Sequence, residues 1–154
     1  MHTLDAAEIQ LDNAFLGETD LSWLWMPSAS LREGDLFRTN LMQANLRKAD
    51  LTGADSPFAN LSETDLQWTN LSKANLSGAN LEGTLLSGAN LIGANLENSR
   101  SLRDADLRGV KGLTKEQLAT CKAKGAIIDE DPTTSSSQLT ASPFSPLQSN
   151  DMQA

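Results

Sequence analysis

Leucine recurs at every fifth position along most of the chain. Stepping by five from Leu11 to Leu96 gives eighteen positions, of which sixteen are Leu and only Met26 and Ser56 depart. In an α-helix a step of five leaves successive side chains roughly 140° apart around the axis. In a flat strand an odd step sends alternate leucines to opposite faces. Neither arrangement gathers the leucines into one core. A chain that turns a corner every five residues does, because each leucine then points to a common axis.

The neighbours of each leucine agree. Two positions before it stands a small residue, as in Ala44, Ala49, Ala54, Ala59, Ala74, Ala79, Ala89 and Ala94, with Thr39, Thr64, Thr69 and Thr84 as variants. One position before it stands Asp or Asn, from Asp35 and Asn40 through to Asn90 and Asn95. Small and Leu flanking a polar residue is the in-out-in pattern of a very short strand. The two remaining residues make the corner. Gly53, Gly78, Gly83, Gly88 and Gly93 fall on the second of them, where a type II turn needs positive φ.

A tandem (Ala)(Asp/Asn)(Leu)xx array resembles the pentapeptide-repeat family, and the stretch Ala74 to Leu96, ANLSGANLEGTLLSGANLIGANL, follows that pattern almost without a break. The likeness covers roughly residues 9 to 112. It implies an all-β solenoid, a right-handed quadrilateral parallel β-helix with four five-residue faces per coil. A twenty-residue offset would then stack side chains, dividing the chain into about five coils near 9–28, 29–48, 49–68, 69–88 and 89–109. Leu31, Leu51, Leu71 and Leu91 would form one internal ladder, and Met26, Leu46, Leu66 and Leu86 another. At roughly 4.8 Å per coil the rod is about 24 Å long. Each buried Leu contributes about 1.5–3 kcal/mol.

The frame slips once. Leu102 and Leu107 follow Leu96 at spacings that place one extra residue within Ser99–Asp104, read as a bulge. Open coils need caps. Thr114 and Gln117 form a T-x-x-Q capping box, with Leu113 and Leu118 at the staple positions and Gly125 placed to end the helix. The expected organisation is an N-terminal cap and start of the first coil at 1–13 and a solenoid at 14–112. A capping helix with its exit segment follows at 113–128, and a disordered tail at 129–154. Leu24 and Trp25 depart from the repeat and mark the first coil as a modified cap. The tail is rich in Ser, Thr and Pro, so its removal should leave the melting temperature nearly unchanged. Phe144 is the one candidate there for a short interaction motif.

Composition restricts function. The single cysteine excludes an internal disulfide and suits a reducing compartment, so a cytoplasmic location is expected. No basic segment followed by an apolar run opens the sequence, and no stretch approaches the roughly 20 apolar residues of a bilayer span. The only histidine is His2, tyrosine is absent, and Cys121 has no histidine near it in sequence. The carboxylates are regularly spaced and outward. No catalytic residue, cofactor site or metal site is expected. The Asn column is expected to be a structural ladder.

The net charge of -8 raises one family role, since pentapeptide-repeat proteins that protect DNA gyrase resemble a DNA duplex in shape and charge. Duplex mimicry needs densely spaced acidic charge. Here much of the negative charge lies in the two terminal segments, and Arg32, Arg38, Arg47, Lys48 and Lys73 interrupt the repeat region. Gyrase protection is therefore the alternative. The leading reading is a non-catalytic scaffold for protein–protein interaction or assembly. Its partner is an unidentified protein, a homodimer with a second copy is compatible, and nucleic acid is not expected to bind.

The candidate surface is aromatic. In the stacked frame Phe15, Phe37, Pro57 and Phe58 share one face over three successive coils, at outward positions. Trp25 and Trp68, with Leu85, occupy outward positions on another face. Clustered outward apolar residues are what a contact surface needs. Packing accounts for them as well: Phe58 and Pro57 could fold over Ser56, which lacks the usual Leu, and Trp25 could belong to the cap.

Overall fold

The computed structural model describes residues 5–130. The chain winds as a right-handed quadrilateral β-helix in which each short strand lies parallel to the one twenty residues later, as in the rung series Asn40–Asn60–Asn80. Two kinds of backbone bond build it. The Leu41 N–H donates to the Asn60 carbonyl one coil onward at 2.8 Å, and the Asn60 N–H donates back to the Thr39 carbonyl at 2.9 Å. Each corner closes on itself, for example Ala44 N–H to the Leu41 carbonyl at 3.0 Å.

The corner demands positive φ at its second residue wherever the repeat runs. Gly53 and Gly78 supply it at +67° and +66°, and non-glycine residues such as Lys48 and Lys73 adopt it at +61° and +60°. A residue with a Cβ is strained there by about 1–2 kcal/mol. The rungs of the coil override that local preference.

The polar residue before each leucine serves the corner and the stack together. Asn60 Oδ1 accepts from the Ser62 N–H at 3.3 Å, and Asn60 Nδ2 donates to Asn40 Oδ1 at 3.1 Å. Asn80 continues the column onto Asn60 at 3.3 Å, and Asn40 ends it on Asp20 at 2.9 Å. Asn and Asp suit this position because a short side-chain oxygen reaches the N–H two residues on. The column is a structural ladder.

Inside, Leu31, Leu51, Leu71 and Leu91 are buried, as are Met26, Leu46, Leu66 and Leu86. The inward threonines keep their hydroxyls satisfied. Thr64 Oγ1 donates to the Leu41 carbonyl at 2.7 Å and Thr84 Oγ1 to the Leu61 carbonyl at 2.7 Å, so burial leaves no orphan donor. Ser56 and Ser99 are exceptions: both are buried, Ser56 at a leucine position, and neither hydroxyl has a partner among the described residues.

The frame slip is a bulge opposite Asn80. The Arg100 N–H donates to the Ala79 carbonyl at 2.9 Å, while the Ser101 carbonyl accepts from the Leu81 N–H at 3.0 Å. Two residues thus face one, and later rungs pair twenty-one residues apart, as Leu85 with Asp106.

The cap at the far end is helix α1, Lys115–Ala123. Thr114 Oγ1 accepts from the Gln117 N–H at 3.1 Å, and Gln117 Oε1 accepts from the Thr114 N–H at 2.8 Å. At its end the Ala126 N–H reaches the Cys121 carbonyl and the Gly125 N–H the Lys122 carbonyl, with Gly125 at φ +94°. That left-handed closure suits glycine. Cys121 is buried, Leu113 packs against the same core, and Leu118 is partly buried. Burial pushes the Cys121 thiol pKa up.

Two expected boundaries move. Residues 5–13 already belong to a regular coil, because Asp5 pairs with Trp25 and Gln10 with Ser30. At the other end the chain leaves α1 and adds a rung: the Ile127 N–H donates to the Ala105 carbonyl and the Ile127 carbonyl accepts from the Leu107 N–H, both at 2.8 Å. Asp129 then accepts from the Gly109 N–H at 2.7 Å, so it is tied to the rod rather than opening a tail. The rest of the expected tail, with Phe144, lies outside the described residues.

Candidate interaction surface

The corner that carries Phe37 and Phe58 is built by two successive coils. Phe37 stands one residue after the buried Leu36, and Phe58 two residues after the buried Ser56, at the left-handed corner position with φ +58°. Their rings meet edge to face, with centroids 6.2 Å apart and planes at 90°. This geometry sets the positive edge of one ring against the negative face of the other. Phe58 remains 45% exposed, whereas Phe37 is only partly so. Phe37 stands at its corner position partly covered.

Glycine gives Phe58 its place. A Cβ on Gly78, in the next coil of the same column, would come within 2.6 Å of the Phe58 ring carbons. Gly88 likewise makes room for the Trp68 indole. Each ring therefore leans along the rod onto a residue without a side chain. Pro57 is partly buried, and its carbonyl accepts from the Arg38 N–H at 3.0 Å.

The other candidates are less closely grouped. Phe15 is 90% exposed and pairs with no other ring among the described residues. Trp25 and Trp68, 47% and 60% exposed, lie in different columns of the rod. Reading the sequence for faces missed Trp23, which is 56% exposed across the corner from Trp25. It also missed two cations: Arg38 Cζ lies 5.0 Å from the Phe37 centroid, and Arg100 Cζ lies 5.8 Å from that of Phe58. Arg38 adjoins Phe37 in sequence and was within reach of sequence reasoning. Arg100 is forty-two residues from Phe58 and could be joined to it only through the stacking and the bulge.

Carboxylates follow one another along a stacked column only at Asp35 and Asp55 among the described residues. Elsewhere the next coil offers an uncharged polar residue, Gly, Arg or an apolar residue. Asp106 is nearly buried, and Arg108 grips it through Nε at 2.9 Å and Nη2 at 2.8 Å, which holds its carboxyl below the usual carboxylate range. Among the described residues no group of three His, Cys, Asp or Glu side chains could hold a metal ion, and no helix is long and apolar enough to cross a membrane.

The family model for pentapeptide repeats matches residues 39–78 and 74–111, with 8 copies. The chain is also 30% identical to a pentapeptide repeat protein, Rfr23, from the cyanobacterium Cyanothece 51142, over 80% of this chain and 86% of that one, with a TM-score of 0.48. This chain belongs to the pentapeptide-repeat family. A second solved member, alr5209 from Nostoc Pcc 7120, is 28% identical over 78% of this chain and 84% of that one, with a TM-score of 0.53. A third is HetL from Nostoc sp. strain PCC 7120, 28% identical over 70% of this chain and 64% of that one, TM-score 0.46; that protein is involved in heterocyst differentiation regulation. No curated protein sequence matches the chain.

Proposed function

We propose that this pentapeptide-repeat protein is a non-catalytic scaffold that binds a protein partner through the aromatic face of its rod. The observation that carries this reading is the Phe37–Phe58 pair. An edge-to-face aromatic pair with one ring half exposed sits where the repeat ordinarily places polar residues. Rigid aromatic side chains lose little entropy on binding and dominate interface energetics. Phe15, Trp25 and Trp68 extend apolar surface to other parts of the rod. The stacked columns lend no support to duplex mimicry, because their carboxylates do not run on. A cytoplasmic location is proposed on the single cysteine, which suits a reducing compartment.

Affinity capture with the tagged protein from its host tests the reading. Phe37→Ser should weaken capture of the recovered partner by about 2 kcal/mol or more, on the scale of an interface hot spot. Circular dichroism should show the fold retained. Arg32→Ser is the control: its ion pair with Asp50, 3.8 Å long between exposed groups, is worth little. Undiminished capture by Phe37→Ser would remove this face from consideration.

A further inference from the structure

We propose that the run Arg38–Phe37–Phe58–Arg100 binds an acidic segment of a partner protein that carries an apolar side chain between its carboxylates. This deepens the aromatic-face reading above and rests on it.

The six arginines of the chain divide into two groups. Arg32, Arg47, Arg103 and Arg108 each lie within ion-pair distance of a carboxylate. Arg38 and Arg100 have no such partner among the described residues. These two are the arginines that stack on the aromatic pair, at 5.0 Å from Phe37 and 5.8 Å from Phe58. The lysines form no ion pair among the described residues either, so what sets Arg38 and Arg100 apart is that each lies over an aromatic ring. Glu18 precedes Arg38 in the same column and still forms no ion pair with it.

Stacking explains what these arginines can do. The ring quadrupole holds a guanidinium flat, while its in-plane N–H groups still point outward. Those groups form the fork that grips a carboxylate through two parallel bonds. The contacts link cation, ring, ring and cation in steps of 5.0, 6.2 and 5.8 Å, so the two guanidinium groups lie within the reach of roughly five extended residues at about 3.3 Å each. A ligand complementary to it has a carboxylate at either end and an apolar group over Phe58. The bulge has a part in this, since Arg100 is one of the two residues it sets opposite Asn80.

Nucleic acid offers the same pairing of anion and ring. The carboxylates of Asp35 and Asp55 stand on the same face, one coil apart, and repel a continuous polyanion more than a short segment with two charges.

The test is selection of a displayed library of random peptides, about twelve residues long, on the immobilised full-length protein. Synthetic versions of the enriched sequences are then titrated by fluorescence polarisation. Enriched peptides should carry Asp or Glu on both sides of an apolar residue, and their binding should weaken as salt rises. The double variant Arg38→Gln/Arg100→Gln should bind them about tenfold or more weakly. It should also melt close to wild type, since neither arginine gives up an ion pair.

Peptides that bind the double variant as well as wild type but fail on Phe37→Ser would overturn the acidic specificity and leave the aromatic surface standing. Peptides indifferent to both variants would sink both readings. Failure to enrich any sequence, or tighter binding of a labelled oligothymidine than of any peptide, would also overturn the proposal.

Discussion

The ring of Phe58 lies against the α-carbon of Gly78, one coil further along the rod, so that a Cβ built there would stand 2.6 Å from both Cδ1 and Cε1. This pairing joins the repeat to the surface. The corner that glycine serves by its backbone freedom also becomes a shelf for the aromatic side chain of the preceding coil.

Gly78→Ala and Gly93→Ala should therefore differ. Both put a Cβ at positive φ, +66° and +71°, at a cost of about 1–2 kcal/mol. At Gly93 the nearest atom is a Lys73 side-chain carbon at an ordinary 3.7 Å. At Gly78 the new methyl must also displace Phe58. Thermal melts should show the larger loss for Gly78→Ala, and equal losses would mean that the ring is not seated there.

Ser56→Ala should raise stability. Ser56 is buried in a leucine ladder with an unpartnered hydroxyl, and leaving such a group desolvated costs about 1–3 kcal/mol. An increase on the order of 1 kcal/mol in urea unfolding is the expected outcome. A decrease would show that the hydroxyl has a partner in solution.

Leu71→Asp should unfold the rod. Leu71 is buried mid-ladder, and an unpaired carboxylate in apolar surroundings costs several kcal/mol. A melting temperature within a few degrees of wild type by circular dichroism would contradict the inward placement of this column.

Acid should weaken the far end of the rod through Asp106. Its folded pKa is depressed, first by the hydrogen bond from Arg108. A depressed carboxylate contributes stability above its unfolded pKa of about 3.9, and that contribution fades as pH falls toward the folded value. Asp106→Asn should thus be less stable than wild type at neutral pH, with the gap narrowing below about pH 4. A gap that stays constant from pH 7 to acid would deny the linkage. The exposed Asp12 and Asp20, also depressed by hydrogen bonds to Ser30 and Ser22, remain in both proteins and cancel in the comparison.

Much of the architecture was legible in the chain because a solenoid repeats one local decision. Leucine inward, Asp or Asn before it and a left-handed corner after it recur often enough that each position confirms the others. The capping box at Thr114 and Gln117 was equally plain, because its bonds are local. The boundaries were not. Asp5 and Ala6 carry too little of the pattern to announce a coil, and only the rung to Trp25 places them in one. The rung at Ile127 has no repeat sequence of its own, and what fixes it is the unpaired edge left at Ala105 and Leu107.

The surface divides in the same way. The sequence by itself determined which residues face inward, because a five-residue period with a fixed corner admits one burial pattern. It also placed Phe37 and Phe58 on neighbouring coils at outward positions, where their rings meet. Tertiary structure alone decided that Phe37 is partly covered, that Phe58 rests on Gly78, and that Arg100 comes to lie over Phe58. The physical reason is range. The corner and the ladder are set by bonds within a few residues and repeated at a fixed offset. The contact between Arg100 and Phe58 crosses two coils and a bulge, where side-chain packing and charge choose the neighbours.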